Sequence, residues 1–257
     1  MKTEYRKEPS KVLQRDMEYK IYGQAGKPII VFAPQNGHFY DYENFHMVDA
    51  LEPFIDSKQI QLFCVDSIDA ESWSAMDQDN RIRSQQIEKF YHYICDELYP
   101  RIQEYNRIAN NADKPQKLMT TGCSMGATHA ANMFFRRPDL FDSVIALSGV
   151  FNAQFFFHDY MDDLVYANSI ETYLTNMPLD HPYIELYRHS KMVFCVGKGK
   201  WEEAIIHSMD RLAAILRSKG VDNAWFDYWG EDVDHDWPWW QKQITYFMGK
   251  ILEDSQP

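Results

Sequence analysis

Lys117-Leu118-Met119-Thr120-Thr121-Gly122-Cys123-Ser124-Met125-Gly126 decides how the rest of the chain is read. Its first half is a short apolar and β-branched run, its second half has the form G-x-S-x-G, and Ala127 to Phe135 beyond it has helical composition. Glycines at those two places leave room for a strained strand-to-helix turn that lifts a serine hydroxyl out of a sheet. The backbone N–H of the next residue, Met125, points into the same space. Ser124 is therefore the candidate nucleophile. At an average glycine usage of about 7 % the bare pattern recurs by chance in roughly one chain in ten to twenty of this length. Its weight rests on the strand-turn-helix setting and on what lies downstream.

Working outward from this stretch, Pro28 to Ala33, Ile60 to Val65, Val144 to Leu147 and Met192 to Val196 are continuous apolar runs bounded by turn chemistry. Such runs are expected of strands buried on both faces. Met17 to Ile21 alternates apolar with charged residues, as a half-exposed strand near a sheet edge does, and Trp225 to Tyr228 marks one more strand. Helical patterns fall between them. Asn44 can cap a helix through Val48, Leu51 and Phe54, and a stripe from Ile87 to Tyr105 predicts a long helix over 84–107 that Pro100 kinks. A helix with Ile205, Leu212 and Leu216 inward ends at Lys219-Gly220, and Pro238 opens a C-terminal helix in its first turn. This β-α-β alternation predicts an α/β fold, a mostly parallel sheet with helices on both faces, in one domain spanning 1–257. The alternation breaks from Phe151 to Ser190 into short aromatic-rich pieces, which predicts a small cap over the site.

A chain of 257 residues with 45 % hydrophobic composition can bury a full core. Its formal charge of −12 repels phosphate backbones and anionic lipid, so neither nucleic acid nor a membrane surface is an expected partner. Met1 to Lys11 is charged and lacks an apolar core, and nowhere do 18 apolar residues run together; a cytoplasmic location is expected. Cys64, Cys95, Cys123 and Cys195 show no C-x-x-C spacing and read as reduced thiols. The expected partner is a small-molecule ester, uncharged or cationic, with a homo-oligomer left open.

A serine hydroxyl needs a base to take its proton, and the base needs an anion on its far side. The order Ser, acid, His is met here by Ser124, the Glu202-Glu203 pair on the loop after one strand, and His235 on the loop after the last. All three fall at carboxyl ends of strands and so on one rim of the sheet. Periodicity alone does not separate Glu202 from Glu203, and Asp232, Asp234 and Asp236 flank the histidine. The loop Pro34-Gln35-Asn36-Gly37-His38 leaves an early central strand at that rim, where such sheets bind ligands. Trp73, on the acidic loop from Asp66, and Phe155 and Phe156, in the cap, are the candidate substrate-binding aromatics. No H-E-x-x-H and no histidine pair at ligand spacing is present, so no metal is expected.

From about Lys20 to Leu252 the chain resembles the esterase family of α/β-hydrolases that includes esterase D-type S-formylglutathione hydrolases, enterochelin esterases, feruloyl esterases and mycolyltransferases. The resemblance is carried by Gly122-Cys123-Ser124-Met125-Gly126-Ala127, Arg137-Pro138-Asp139-Leu140-Phe141-Asp142, Leu147-Ser148-Gly149, Trp229-Gly230 and His235-Asp236-Trp237. It implies the α/β-hydrolase fold and a Ser-acid-His site for acyl transfer, with no metal or organic cofactor. By the same resemblance Gly197-Lys198-Gly199-Lys200-Trp201-Glu202-Glu203 places Glu203 as the acid, and Asn36 and Met125 supply the two oxyanion-hole N–H groups. The expected function is a serine carboxylic-ester hydrolase. The alternatives are an acyltransferase using the same nucleophile and a binding protein that has kept the fold. The chain departs from better-known members over 66–80 and 151–190, the segments that would line the pockets.

Overall fold

Eight strands form one sheet in the order β1-β2-β4-β3-β5-β6-β7-β8 in the computed structural model, which describes residues 1–253. They are β1 (Thr3–Ser10), β2 (Arg15–Tyr22), β3 (Lys27–Phe32), β4 (Ile60–Val65), β5 (Leu118–Cys123), β6 (Phe141–Leu147), β7 (Lys191–Val196) and β8 (Ala224–Tyr228). The first two are antiparallel to their neighbours, and β4, β3, β5, β6, β7 and β8 run parallel. Strand β1 has no counterpart among the sequence expectations. It carries charge along its length instead of an apolar face, and cross-strand pairing with β2 holds it at the edge, where charged side chains discourage further pairing.

Alternate residues of the central strands feed opposite faces. Ile29, Val31, Leu62, Cys64, Met119 and Cys123 pack against α1 (Met47–Asp56) and, at the far end of the chain, the helix Trp237–Glu253. Ile30, Phe32, Phe63, Val65 and Leu118 face the other layer, which contains α2 (Asn80–His92), α3 (Tyr99–Ala109), α4 (Met125–Arg136) and α5 (Glu203–Ser218); Trp237–Glu253 is then α6. Burial on both faces is why these strands read as unbroken apolar runs. The long kinked helix expected over 84–107 is α2 and α3 joined by a wide π turn over Tyr93–Leu98. Pro100 has no N–H to bond back one turn, and the helix widens where that bond is missing. Asn44 closes a short preceding turn of helix, and α1 starts after His46.

Over 151–190 the chain forms short helices, Gln154–Phe157, Asp163–Ala167, Ile170–Asn176 and Pro182–Arg188, in place of a crossover of regular length. Glu88 on α2 ties this segment to the body, bridging Arg136 at 2.8 and 2.9 Å and Asn168 at 3.0 Å. Because β4 pairs with one side of β3 and β5 with the other, the chain reverses direction around β3. The crevice at the carboxyl ends of β3 and β5 is where such sheets bind ligands.

Candidate active site

Ser124 follows β5 directly and precedes the first residue of α4, with φ 56° and ψ −125°. A non-glycine residue in that conformation is strained, and the strain persists only because its surroundings over-determine it. Gly126 is what makes the turn fit: a Cβ there would lie 2.2 Å from the Phe32 carbonyl oxygen of β3. The turn leaves Ser124 Oγ at the rim, 2.8 Å from His235 Nε2. The neighbouring Cys123 faces the opposite way, fully buried, and burial pushes its thiol well above the usual range, so it offers no competing nucleophile.

His235 is brought across by two loops that zip together. Lys198 and Gly199 donate N–H bonds to the carbonyls of Gly230 and Val233, and His235 N–H donates to the Lys200 carbonyl at 3.1 Å. Gly197 is required for this approach, since a Cβ there would stand 2.0 Å from the Val233 carbonyl oxygen. At the end of the zipped loop Trp201 takes a left-handed conformation, φ 69°, and the chain turns into α5.

That turn puts Glu202, and not Glu203, behind the histidine. Glu202 is completely buried, with Oε2 3.3 Å from His235 Nδ1 and Oε1 accepting a 2.7 Å hydrogen bond from Ser148 Oγ. Glu203 is the first residue of α5 and points to solvent, where the helix dipole favours a carboxylate. The expectation of Glu203 is corrected by one residue: the left-handed Trp201 tightens the loop, and adjacent residues entering a helix face about 100° apart. Two of the flanking aspartates are engaged elsewhere. Asp234 accepts from Lys200 N–H at 2.8 Å and Asp236 from Trp237 N–H at 2.7 Å.

Ser148 and Trp240 belong to this constellation although sequence reasoning gave them no role. Ser148 sits just past β6 with φ 57°, fully buried, and accepts from Trp240 Nε1 at 3.1 Å while donating to Glu202. The edge of Trp240 also meets the His235 ring, centroids 4.8 Å apart. A buried carboxylate left short of donors is costly, so the Ser148 hydroxyl contributes to keeping Glu202 in place. Their sequence signals are the position of Ser148 at a strand's carboxyl end and its place in Leu147-Ser148-Gly149, one of the stretches that carry the resemblance.

The second expected oxyanion donor, Asn36 N–H, already has a hydrogen-bond partner. Asn36 N–H donates to the buried Asp69 carboxylate at 3.3 Å, and its neighbour Gln35 lines the cavity at Ser124. Asn36 has φ 56°, which turns the next peptide plane away from its own, so Asn36 N–H meets Asp69 while Gly37 N–H donates to the Pro34 carbonyl at 2.8 Å. Met125 lines the same cavity, at the N-terminus of α4.

A cavity of about 200 Å³ opens beside Ser124 between Thr128, Val150, Phe156 and Ile205, with Phe155 and Trp201 at its mouth. Phe155 and Phe156 thus both line the cavity beside Ser124. Trp73 is not: it is 2 % exposed and packs edge-on beneath Phe156, centroids 5.1 Å apart, one layer behind the wall. Arg83 pins it there by donating to the Trp73 and Phe156 carbonyls at 2.7 and 3.1 Å. Among the described residues no helix is long and apolar enough to cross a membrane.

Solved structures similar to this chain share its whole length at low identity. A ferulic acid esterase aligns with a TM-score of 0.73 at 16 % identity, covering 98 % of both chains. MPT51 (FbpC1) of Mycobacterium tuberculosis aligns at 0.67 and 15 %, again over 98 % of each. The S-formylglutathione hydrolase FrmB of Staphylococcus aureus aligns at 0.63 and 13 %, over 98 % of this chain and 97 % of that one. These likenesses establish the fold, and no curated protein sequence matches the chain significantly. The family model described as "Putative esterase" matches residues 10–251, so the chain belongs to that family and is an ester hydrolase with the α/β-hydrolase fold.

Proposed function

We propose that the protein is a serine carboxylic-ester hydrolase working through an acyl-enzyme, with Ser124 as nucleophile, His235 as base and Glu202 as the acid. The observation that carries this reading is the continuous line from Ser124 Oγ to His235 Nε2 at 2.8 Å and from His235 Nδ1 to buried Glu202 at 3.3 Å. As Ser124 Oγ attacks the ester carbonyl its proton passes to His235 Nε2, and Glu202 stabilises the imidazolium. The tetrahedral oxyanion lies between the N–H groups of Met125 and Gln35, donors of the kind worth about 10²-fold to 10³-fold each in kcat. The alcohol leaves with the proton from His235, and water repeats the sequence to release the acid. No metal or organic cofactor enters these steps.

The cavity of about 200 Å³ is smaller than the roughly 300 Å³ at which drug-sized sites begin, which supports a small ester with its acyl group against Thr128, Val150 and Phe156. The net charge of −12 favours uncharged or cationic substrates. The four free, buried thiols are in keeping with a reducing, cytoplasmic setting. The test is steady-state hydrolysis of short-chain aryl esters: wild type should turn over acetate and butyrate esters, and Ser124→Ala should keep the melting temperature but lose turnover. Hydrolysis by Ser124→Ala at a tenth of the wild-type kcat or more would reject the reading.

A further inference from the structure

Asp69, in the single turn of 3₁₀ helix after β4, is 1 % exposed, and its two oxygens face two different parts of the site. Oδ2 accepts the Asn36 N–H at 3.3 Å, and Oδ1 lies 2.8 Å from Nε2 of His129. His129 is on α4, little more than one turn past Ser124, and is 3 % exposed. The rings of Phe32, Phe90 and Trp73 enclose it at centroid distances of 5.9, 5.4 and 6.3 Å. Asp69 therefore joins the loop after β3 to the helix that carries the nucleophile. Two more bonds fasten the same loop to the stretch before Asp69: Asp66 Oδ1 accepts from Phe39 N–H at 3.3 Å, and Ser67 Oγ donates to the Gly37 carbonyl at 3.0 Å.

A buried carboxylate-histidine pair is a poor way to stabilise a core, because apolar side chains of similar volume do so at no desolvation cost. What the pair supplies instead is a fixed geometry. The peptide plane joining Gln35 to Asn36 is anchored to Asp69 by the Asn36 N–H bond, and Gln35 N–H belongs to the plane immediately before it, one Cα away from that anchor. We propose that Asp69 and His129 are positioning residues for catalysis, a buried clamp that keeps the Gln35 N–H in register with the Met125 N–H around the oxyanion. The proposal rests on the esterase reading of Ser124. It assigns neither residue a contact with substrate; their effect travels through the Asn36 peptide, and a displacement of about 1 Å at a reacting centre is enough for about 10²-fold in rate.

The test combines kinetics with amide hydrogen exchange on the intact protein. Asp69→Ala should lower kcat on p-nitrophenyl acetate about 100-fold, leave KM within about threefold and speed exchange at Asn36 at least about tenfold. Asp69→Asn still accepts from Asn36 N–H and can donate to His129, so it should recover all but about fivefold of the activity and most of the protection. His129→Leu should reproduce the pattern more weakly, and combining it with Asp69→Ala should add little. Should Asp69→Ala fail to fold, His129→Leu against Asp69→Asn carries the same comparison. A fall in melting temperature with kcat unchanged, or an Asp69→Asn variant as slow as Asp69→Ala, would overturn the clamp. If wild type hydrolyses no ester, the esterase reading falls, and exchange alone decides: unchanged Asn36 exchange in Asp69→Ala rejects the clamp, faster exchange retains it.

Discussion

Glu202 with His235 and Asp69 with His129 are the same two chemical groups, each with a fully buried carboxylate, at 3.3 and 2.8 Å and on the same rim of the sheet. What separates them is the second nitrogen and the solvent. The His235 side chain is 19 % exposed and its other nitrogen meets Ser124 Oγ at 2.8 Å, whereas the His129 ring is walled in by Phe32, Phe90 and Trp73. An imidazole that opens on a hydroxyl and a cavity can move a proton between substrate and enzyme. One sealed among aromatic rings can only hold its neighbour in place. Pair chemistry alone does not make a catalyst; access does.

The sharpest way to break the comparison is to remove each histidine. His235→Ala should lose about 10⁵-fold in kcat at unchanged melting temperature, and Ser124→Ala combined with it should be no worse than either alone, because the residues act as a unit. His129→Leu should lose a few tens-fold at most, measured with the same aryl ester. Equal losses at the two histidines would erase the distinction. The acids give the next contrast. Glu202→Gln should cost about 10³-fold to 10⁴-fold by presenting His235 with a neutral partner, while Glu203→Gln, which changes only a solvated residue, should stay within about twofold. A crippled Glu203→Gln would restore the assignment that the family resemblance implied.

A third carboxylate calibrates what a purely structural pair does. Glu88 bridges Arg136 and Asn168 far from the nucleophile, and Glu88→Gln should cost about 3 kcal/mol of stability with kcat changed less than threefold. Burial alone would raise the Glu88 carboxyl, but the hydrogen bonds and charge of Arg136, with Asn168, hold it below the usual range. A depressed folded value means that its stabilisation is complete above the ordinary carboxylate range and is lost as pH falls through the folded value. Unfolding midpoints measured from about pH 6 down to about pH 3 should therefore fall more steeply in wild type than in Glu88→Gln. The smallest effect belongs to the cavity mouth. Phe155 is 53 % exposed, so Phe155→Ala should barely move the melting temperature yet shift the preference among acetyl, butyryl and hexanoyl esters several-fold. Lost stability with unchanged preference would make that wall a structural one.

The central strands were legible because burial on both faces leaves an unbroken apolar run, and Ser124 because its turn demands glycine at fixed places. His235 was legible from chain order together with its place on the loop after the last strand. Strand β1 was not, since an edge strand needs no apolar face and Thr3 to Ser10 has none. The acid was legible only as a pair: choosing Glu202 depends on Trp201 adopting a left-handed conformation, which no propensity predicts for tryptophan. The bond from Asn36 N–H to Asp69 was not legible either, because it joins loops 33 residues apart in sequence. Trp73 looked like a pocket residue because it lies on an irregular loop, but Arg83, which draws it inward, acts through backbone carbonyls that a sequence does not display. Ser148 and Trp240 are ordinary residues until the fold sets them beside Glu202.

The central claim, that the elbow serine is activated by the Glu202-His235 pair, is tested most directly by the rate and site of labelling with a fluorophosphonate, read by intact mass and peptide mapping. Wild type should take up one label, on Ser124; Glu203→Gln should label at the wild-type rate, Glu202→Gln at least about 100-fold more slowly, and Ser124→Ala not at all. A label on any other residue, or equal rates in Glu202→Gln and wild type, would contradict the account.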